Sequence, residues 1–178
     1  MNLSKEEIIQ RLRSCSNEFT TFCAKIPGEV FFHQPPVKWS IAQNVKHLVI
    51  SGTTTKLAFI LPKFIVRLYA GKPNRRSRSF DELVNKYKLK LQQGGKASGI
   101  YIPKTIDPQT GNENMLNDFL RTMNRLISSI HKNYRDDQLD QFLAPHPLLG
   151  KITLRELCYF TIYHTQHHLN IIKERCAE

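Results

Sequence analysis

Four cysteines in 178 residues, Cys15, Cys23, Cys158 and Cys176, form no CxxC spacing. That leaves no cysteine-based metal or redox motif. A chain this long also needs no disulfide staples, so a reducing cytoplasm is the expected setting. Long uncharged apolar runs are missing too. The most apolar stretch, 45–69, is interrupted by Lys46, Lys56, Lys63 and Arg67 before about 20 such residues accumulate, so it reads as a buried helix and no stable membrane insertion is expected. The opening MNLSKEEIIQRLRS lacks the basic-then-apolar layout of a secretory signal, and export is not expected. No run alternates with period two for more than a few residues, and no internal repeat is evident, which argues against a β architecture or a solenoid. Acidic residues are scarce: 15 Asp and Glu stand against 26 Lys and Arg, for a formal charge of +11. Such a charge attracts nucleic acid, anionic lipid or an acidic small molecule without choosing among them. Much of the excess lies in GKPNRRSRS (71–79) and KYKLKLQQGGK (86–96), read here as solvated connecting segments.

What is present is helical. An apolar fraction of 40% with 23% charge is that of an ordinary globular chain, and the length suits one domain over residues 1–178. Five capping boxes each precede an apolar run: Ser4/Glu7, Ser40/Gln43, Ser79/Glu82, Thr110/Glu113 and Thr153/Glu156. The first helix carries Ile8, Leu12, Cys15, Phe19 and Phe22 on one side and ends before IPGE. The second runs from Ser40 to about Ala70, kinked or divided by Pro62. A short extra helix bears Phe80, Leu83, Val84 and Tyr87, and 92–111 is a long Gly- and Pro-punctuated loop. The third long helix follows Thr110 with a strip from Met115 to Ile130, and the fourth follows Thr153 almost to the end. The expected fold is all-α, a four-helix bundle with the short helix and long loop between its second and third helices.

Chemistry concentrates in YHTQHHLNII (163–172). On a helix, Leu157, Thr161, His164, His168 and Ile171 share one narrow core-facing sector, with His167 at its edge. An i,i+4 histidine pair offers two imidazoles to one metal ion, yet the same spacing is common on solvated helix faces. Burying two polar rings among Leu, Thr and Ile is costly without partners. The most plausible third partner is His47, which periodicity sets a quarter-turn or more from the apolar stripe Ile41, Val45, Leu48, Gly52 and Phe59. Its own face carries Asn44, Ser51, Thr54 and Ala58, small or polar groups able to line a cavity between helices.

WSIAQNVKHL (39–48) and HPLLGKITLRELCYFTIYHTQHHLNII (146–172) together resemble the DinB-like superfamily, four-helix metal-binding proteins that include bacillithiol-type S-transferases. The resemblance runs from about Trp39 onward. It rests on the Trp-Ser opening with a histidine eight residues after Trp39, and on the G-x-x-T-x-x-E lead into HxxxHH. It implies a three-histidine site of His47, His164 and His168 for a divalent ion such as Zn, Ni or Mn, with His167 outside it. Three imidazoles leave coordination positions open for water or a thiolate. It also implies transfer of a low-molecular-weight thiol to a small electrophile, and a homodimer.

Other motifs carry less. GGKAS (94–98) has Ala97 where a phosphate loop needs Ser or Thr, and no glycine at the required distance before it. His146, between two prolines, reads first as a turn residue and second as a group near a pocket mouth. Cys158 points away from the histidine sector and reads as buried filler. No acid/base dyad is evident, so catalytic residues stay unassigned. Three functions compete. The first is a metal-dependent thiol transferase or hydrolase, with segments 72–78 and 86–96, Arg75, Arg76 and Arg78 included, drawing in an acidic thiol. The second is a stress-related nucleic-acid-binding or interaction protein, using aromatic Phe80, Tyr87 and Tyr101 among the basic residues. The third is a membrane-surface protein using Lys56, Lys63 and Arg67.

Overall fold

A computed structural model describes residues 2–177. Its four long helices are α1 (Lys5–Cys23), α3 (Ile41–Ile60), α6 (Asn112–Asn133) and α7 (Leu154–Cys176), with the shorter α2 (Gly28–Phe32), α4 (Lys63–Ala70) and α5 (Phe80–Gln92) between them. Contacts run α1 to α6, α6 to α3, α3 to α7 and α7 back to α1, closing a four-helix bundle. Helix α5 lies outside, against α7. The bundle interior is filled by the expected stripes of α1 and α6, among them Ile8, Leu12 and Phe19, and Phe119, Leu126 and Ile130, and by Leu157 of α7. At the far end of α7 the expected Ile171 is 37% exposed and its neighbour Ile172 is buried instead, because the buried face of the helix lies slightly around from the predicted sector.

Four of the five capping boxes form with both reciprocal bonds, at Ser4, Ser40, Ser79 and Thr153. The Thr110/Glu113 box does not. Thr110 ends a 3-10 turn after Pro108, and Gly111, at φ +74°, becomes the cap of α6 with no side-chain bond. The turn consumes the residue that pattern alone assigns to capping. Pro62 divides rather than kinks the second predicted helix, and α3 and α4 meet at 110°. Together these two pass a length and hydropathy test for a span, but no single described helix does. The glycine pair of GGKAS ends α5: the Gly95 amide reaches the Lys90 carbonyl and the Gly94 amide reaches that of Leu91, a Schellman cap. A Cβ at Gly95 would lie 2.6 Å from the Lys90 carbonyl oxygen, so the second glycine is sterically required.

Two features depart from the sequence expectation. Residues 28–32 form α2, a single turn too short for periodicity to detect. Strands β1 (Leu143–His146) and β2 (Gly150–Thr153) form an antiparallel hairpin in register Leu143↔Thr153 to His146↔Gly150. Four-residue strands with a proline in one of them leave no alternation to read. The hairpin delivers the chain into α7, and α4 packs on its first strand.

Candidate metal centre and adjoining cavity

The N-terminal half of α3 and the middle of α7 meet where His47, His164 and His168 lie, all buried. Their Nε2 atoms converge: His164 Nε2 stands 3.0 Å from that of His47 and 3.1 Å from that of His168. The opposite edges of the rings are held. His47 Nδ1 lies 2.7 Å from the Tyr101 carbonyl, which can only accept, so the ring carries its proton there. His168 Nδ1 lies 2.7 Å from Asn44 Oδ1, and Asn44 Nδ2 donates to the Ser40 carbonyl, which fixes the amide with its oxygen toward the histidine. His164 Nδ1 faces Ser51 Oγ at 3.5 Å. Two rings at least therefore present bare Nε2 lone pairs to the cluster.

Burial lowers the pKa of His47 despite the Tyr101 carbonyl, and it lowers those of His164 and His168 well below the ordinary value, with the neighbouring histidines adding to the effect. Neutral imidazoles with lone pairs turned on one another repel unless a cation lies among them. The donor set is also the one that binds a divalent ion, each ring oriented through its other nitrogen. The three form a group able to hold a metal ion. Trp39 packs on the His47 ring at 5.0 Å and runs parallel to His168, while Phe160 stacks on His164 at 4.7 Å. His167 is absent from the cluster and stacks on Tyr163 instead.

His47 and His164, with Ser51, Thr54 and Ala58, also line a cavity of about 470 Å³ bordered by the hairpin, α4 and the loop after α5. The small-or-polar face of α3 thus fronts a cavity, as its composition suggests. His146 does both things expected of it as alternatives. It lines the cavity, and its Nδ1 accepts the amides of Leu148 and Leu149 across the hairpin turn. Cys158 is buried and its thiol is pushed up to about 12 by burial, which suits filler. Sequence reasoning missed the role of Tyr101, whose contact with His47 spans 54 residues, and although it placed Asn44 on the face of His47 it did not find that Asn44 holds His168.

The basic segment behaves differently from expectation. Arg75 makes paired bonds of 2.7 and 2.8 Å to Glu156, whose side chain is fully buried, and Arg78 adds its amide and guanidinium to the same carboxylate. Ser77 is buried against Asp140 and Thr153. Residues 75–78 are a strap clamped to the start of α7, not a solvated attractor for an acidic cofactor. Of the three arginines, Arg76 alone is exposed.

Comparison with known proteins agrees with this architecture. Residues 11–172 match the profile of the DinB superfamily. The crystal structure of the colibactin self-resistance protein ClbS in complex with a dsDNA superposes with a TM-score of 0.54 at 16% identity, covering 96% of this chain and 95% of that one. No curated protein sequence matches.

Proposed function

Because the chain belongs to the DinB superfamily, we propose that it is a divalent-metal-dependent enzyme with His47, His164 and His168 as ligands. Its activity is that of a thiol S-transferase-like enzyme on a small electrophile. The observation that carries this reading is the convergence of three Nε2 atoms, with the His47 and His168 rings anchored through Nδ1, at the wall of a cavity. An all-imidazole set favours Zn or Ni over Mn, which prefers oxygen ligands. When bound, such an ion lowers the pKa of a thiol or water and so supplies a nucleophile at neutral pH. The chain's own residues do the rest: Tyr101 and Asn44 orient the rings, Trp39 and Phe160 shield them from water, and the cavity holds the second reactant.

Elemental analysis of untagged protein tests the ligand set. One ion per chain is expected, lost on replacing His47, His164 or His168 with alanine and kept in His167→Ala; full metal in His47→Ala would overturn the assignment. Turnover that proceeds without any added thiol would identify the hydrolase alternative. A second reading, nucleic-acid binding, is favoured by the +11 charge and by the duplex in the ClbS complex. Metal-independent DNA binding that falls steeply with salt would support it over the enzyme. We further propose that residues 1–178 act as one domain, that the protein is cytoplasmic, as its four free cysteines suit a reducing compartment, and that it is a homodimer.

A further inference from the structure

The cavity reaching His47 and His164 has the volume of a drug-sized ligand site. Its wall is built largely from apolar side chains such as Leu57, Val66, Leu143, Leu157 and Phe160, and Lys96 is its sole Lys, Arg, Asp or Glu. Arg75 and Arg78, the cations that would have recruited an acidic reactant, are engaged with Glu156 instead. Among the polar groups that interrupt this lining, Tyr87 and His146 carry hydrogen-bond donors that no described residue takes up. Tyr87 is 6% exposed, and its hydroxyl has no hydrogen-bond partner among the described residues, yet it is accessible rather than sealed in protein. His146 accepts two backbone amides at Nδ1, so its neutral ring carries the remaining proton on Nε2. Burial, with Lys86 nearby, holds the His146 pKa down to about 4 and keeps the ring neutral. Tyr87 stands 6.3 Å from the His164 ring and 6.5 Å from that of His146, centroid to centroid.

We infer that the cavity binds a predominantly apolar, uncharged molecule bearing a hydrogen-bond acceptor, which the Tyr87 hydroxyl and the His146 imidazole receive beside the histidine cluster. The inference rests on the proposed metal centre for the reaction but not for binding. A charged ligand would have to shed its water into a wall with one cation at most to receive it, whereas an apolar body gains from the transfer. The free tyrosyl proton gives an acceptor-bearing ligand an advantage over its hydrocarbon counterpart.

The test uses the full chain and a neutral fluorophore, N-phenyl-1-naphthylamine, displaced by acetophenone, by ethylbenzene, which matches it in shape but lacks the carbonyl, or by glutathione as an acidic thiol. Saturable binding near one probe per chain is expected, with acetophenone displacing it about three- to tenfold better than ethylbenzene and glutathione worst. Tyr87→Phe should bring the ketone-to-hydrocarbon ratio close to one, and Phe64→Ser, on the exposed outer side of α4, should leave it unchanged. The inference fails if the probe does not saturate, if binding is lost with Phe64, if glutathione competes best, or if the ratio survives in both Tyr87→Phe and His146→Phe. Metal content measured on the same samples separates the two claims: an intact ratio without metal sinks the metal centre alone, and full metal without probe binding sinks this inference alone.

Discussion

Glu156 shows how one residue can hold two duties that sequence reveals unequally. As the third residue of α7 it closes the capping box with Thr153, a role plain from the T-x-x-E pattern. Its pairing with Arg75 and Arg78 links positions 81 and 78 residues apart, and no local pattern encodes that. Burial alone would raise its pKa, but the Arg75 bonds and the amides of Arg78 and Thr153 outweigh burial and lower it. A carboxylate with a depressed folded pKa contributes stability above its unfolded pKa, near 4.5, that is lost as pH falls through the folded value. Glu156→Gln should therefore cost about 2–4 kcal/mol in denaturant unfolding at pH 7. Its difference from wild type should shrink as pH drops below 4.5. A gap that stayed constant down to strong acid would show that the charge is not what the site uses.

Among the long helices, α3 carries a close constraint. Gly52 faces α6, and a Cβ there would come within 3.0 Å of Thr122 Cγ2 and 3.5 Å of Met123 Sδ. Backbones pack at this crossing because the side chain is missing. Gly52→Leu should destabilise the protein by about 1–3 kcal/mol through overpacking, read as a lower urea midpoint. It should also reduce metal uptake, since Ser51 faces His164 from the adjoining position. A midpoint equal to that of wild type would show that the α3–α6 crossing adjusts freely. The same helix explains why His47 looked like a poor core residue. Periodicity locates a stripe facing one neighbour, whereas α3 contacts both α6 and α7 and is buried on two sides.

On the scale of the whole molecule, the outer face of α4 is conspicuous. Phe64 and Leu68 are 72% and 85% exposed, next to Ile60 at the end of α3, and Tyr69, 76% exposed, also borders the cavity with Leu57 and Leu61. Apolar surface of this kind marks an interaction site, and we propose it as the face through which the homodimer would pair. Light scattering at micromolar concentration should give twice 20.7 kDa, and Leu68→Glu should shift the protein to the monomer without altering its circular dichroism. A monomer in the wild type would remove the dimer from the proposal.

The sequence by itself determined the helices and their order. Capping boxes and apolar strips are local, set within three or four residues, so four starts, a kink or break at Pro62 and the core faces of α1 and α6 could be read directly, and most of that of α7. It determined too that His164 and His168 share one face of α7, because one helical turn separates them. Tertiary structure alone decided the rest. The approach of His47 to that pair depends on how α3 and α7 pack; helical spacing permitted it and the resemblance implied it, but neither required it. The carbonyl of Tyr101 behind His47 and the strap of Arg75 and Arg78 on Glu156 join residues far apart in the chain, and the hairpin, though local, borders the cavity only through its packing on α4. Their positions follow from the entropy and packing of the whole fold, which no short window of sequence contains.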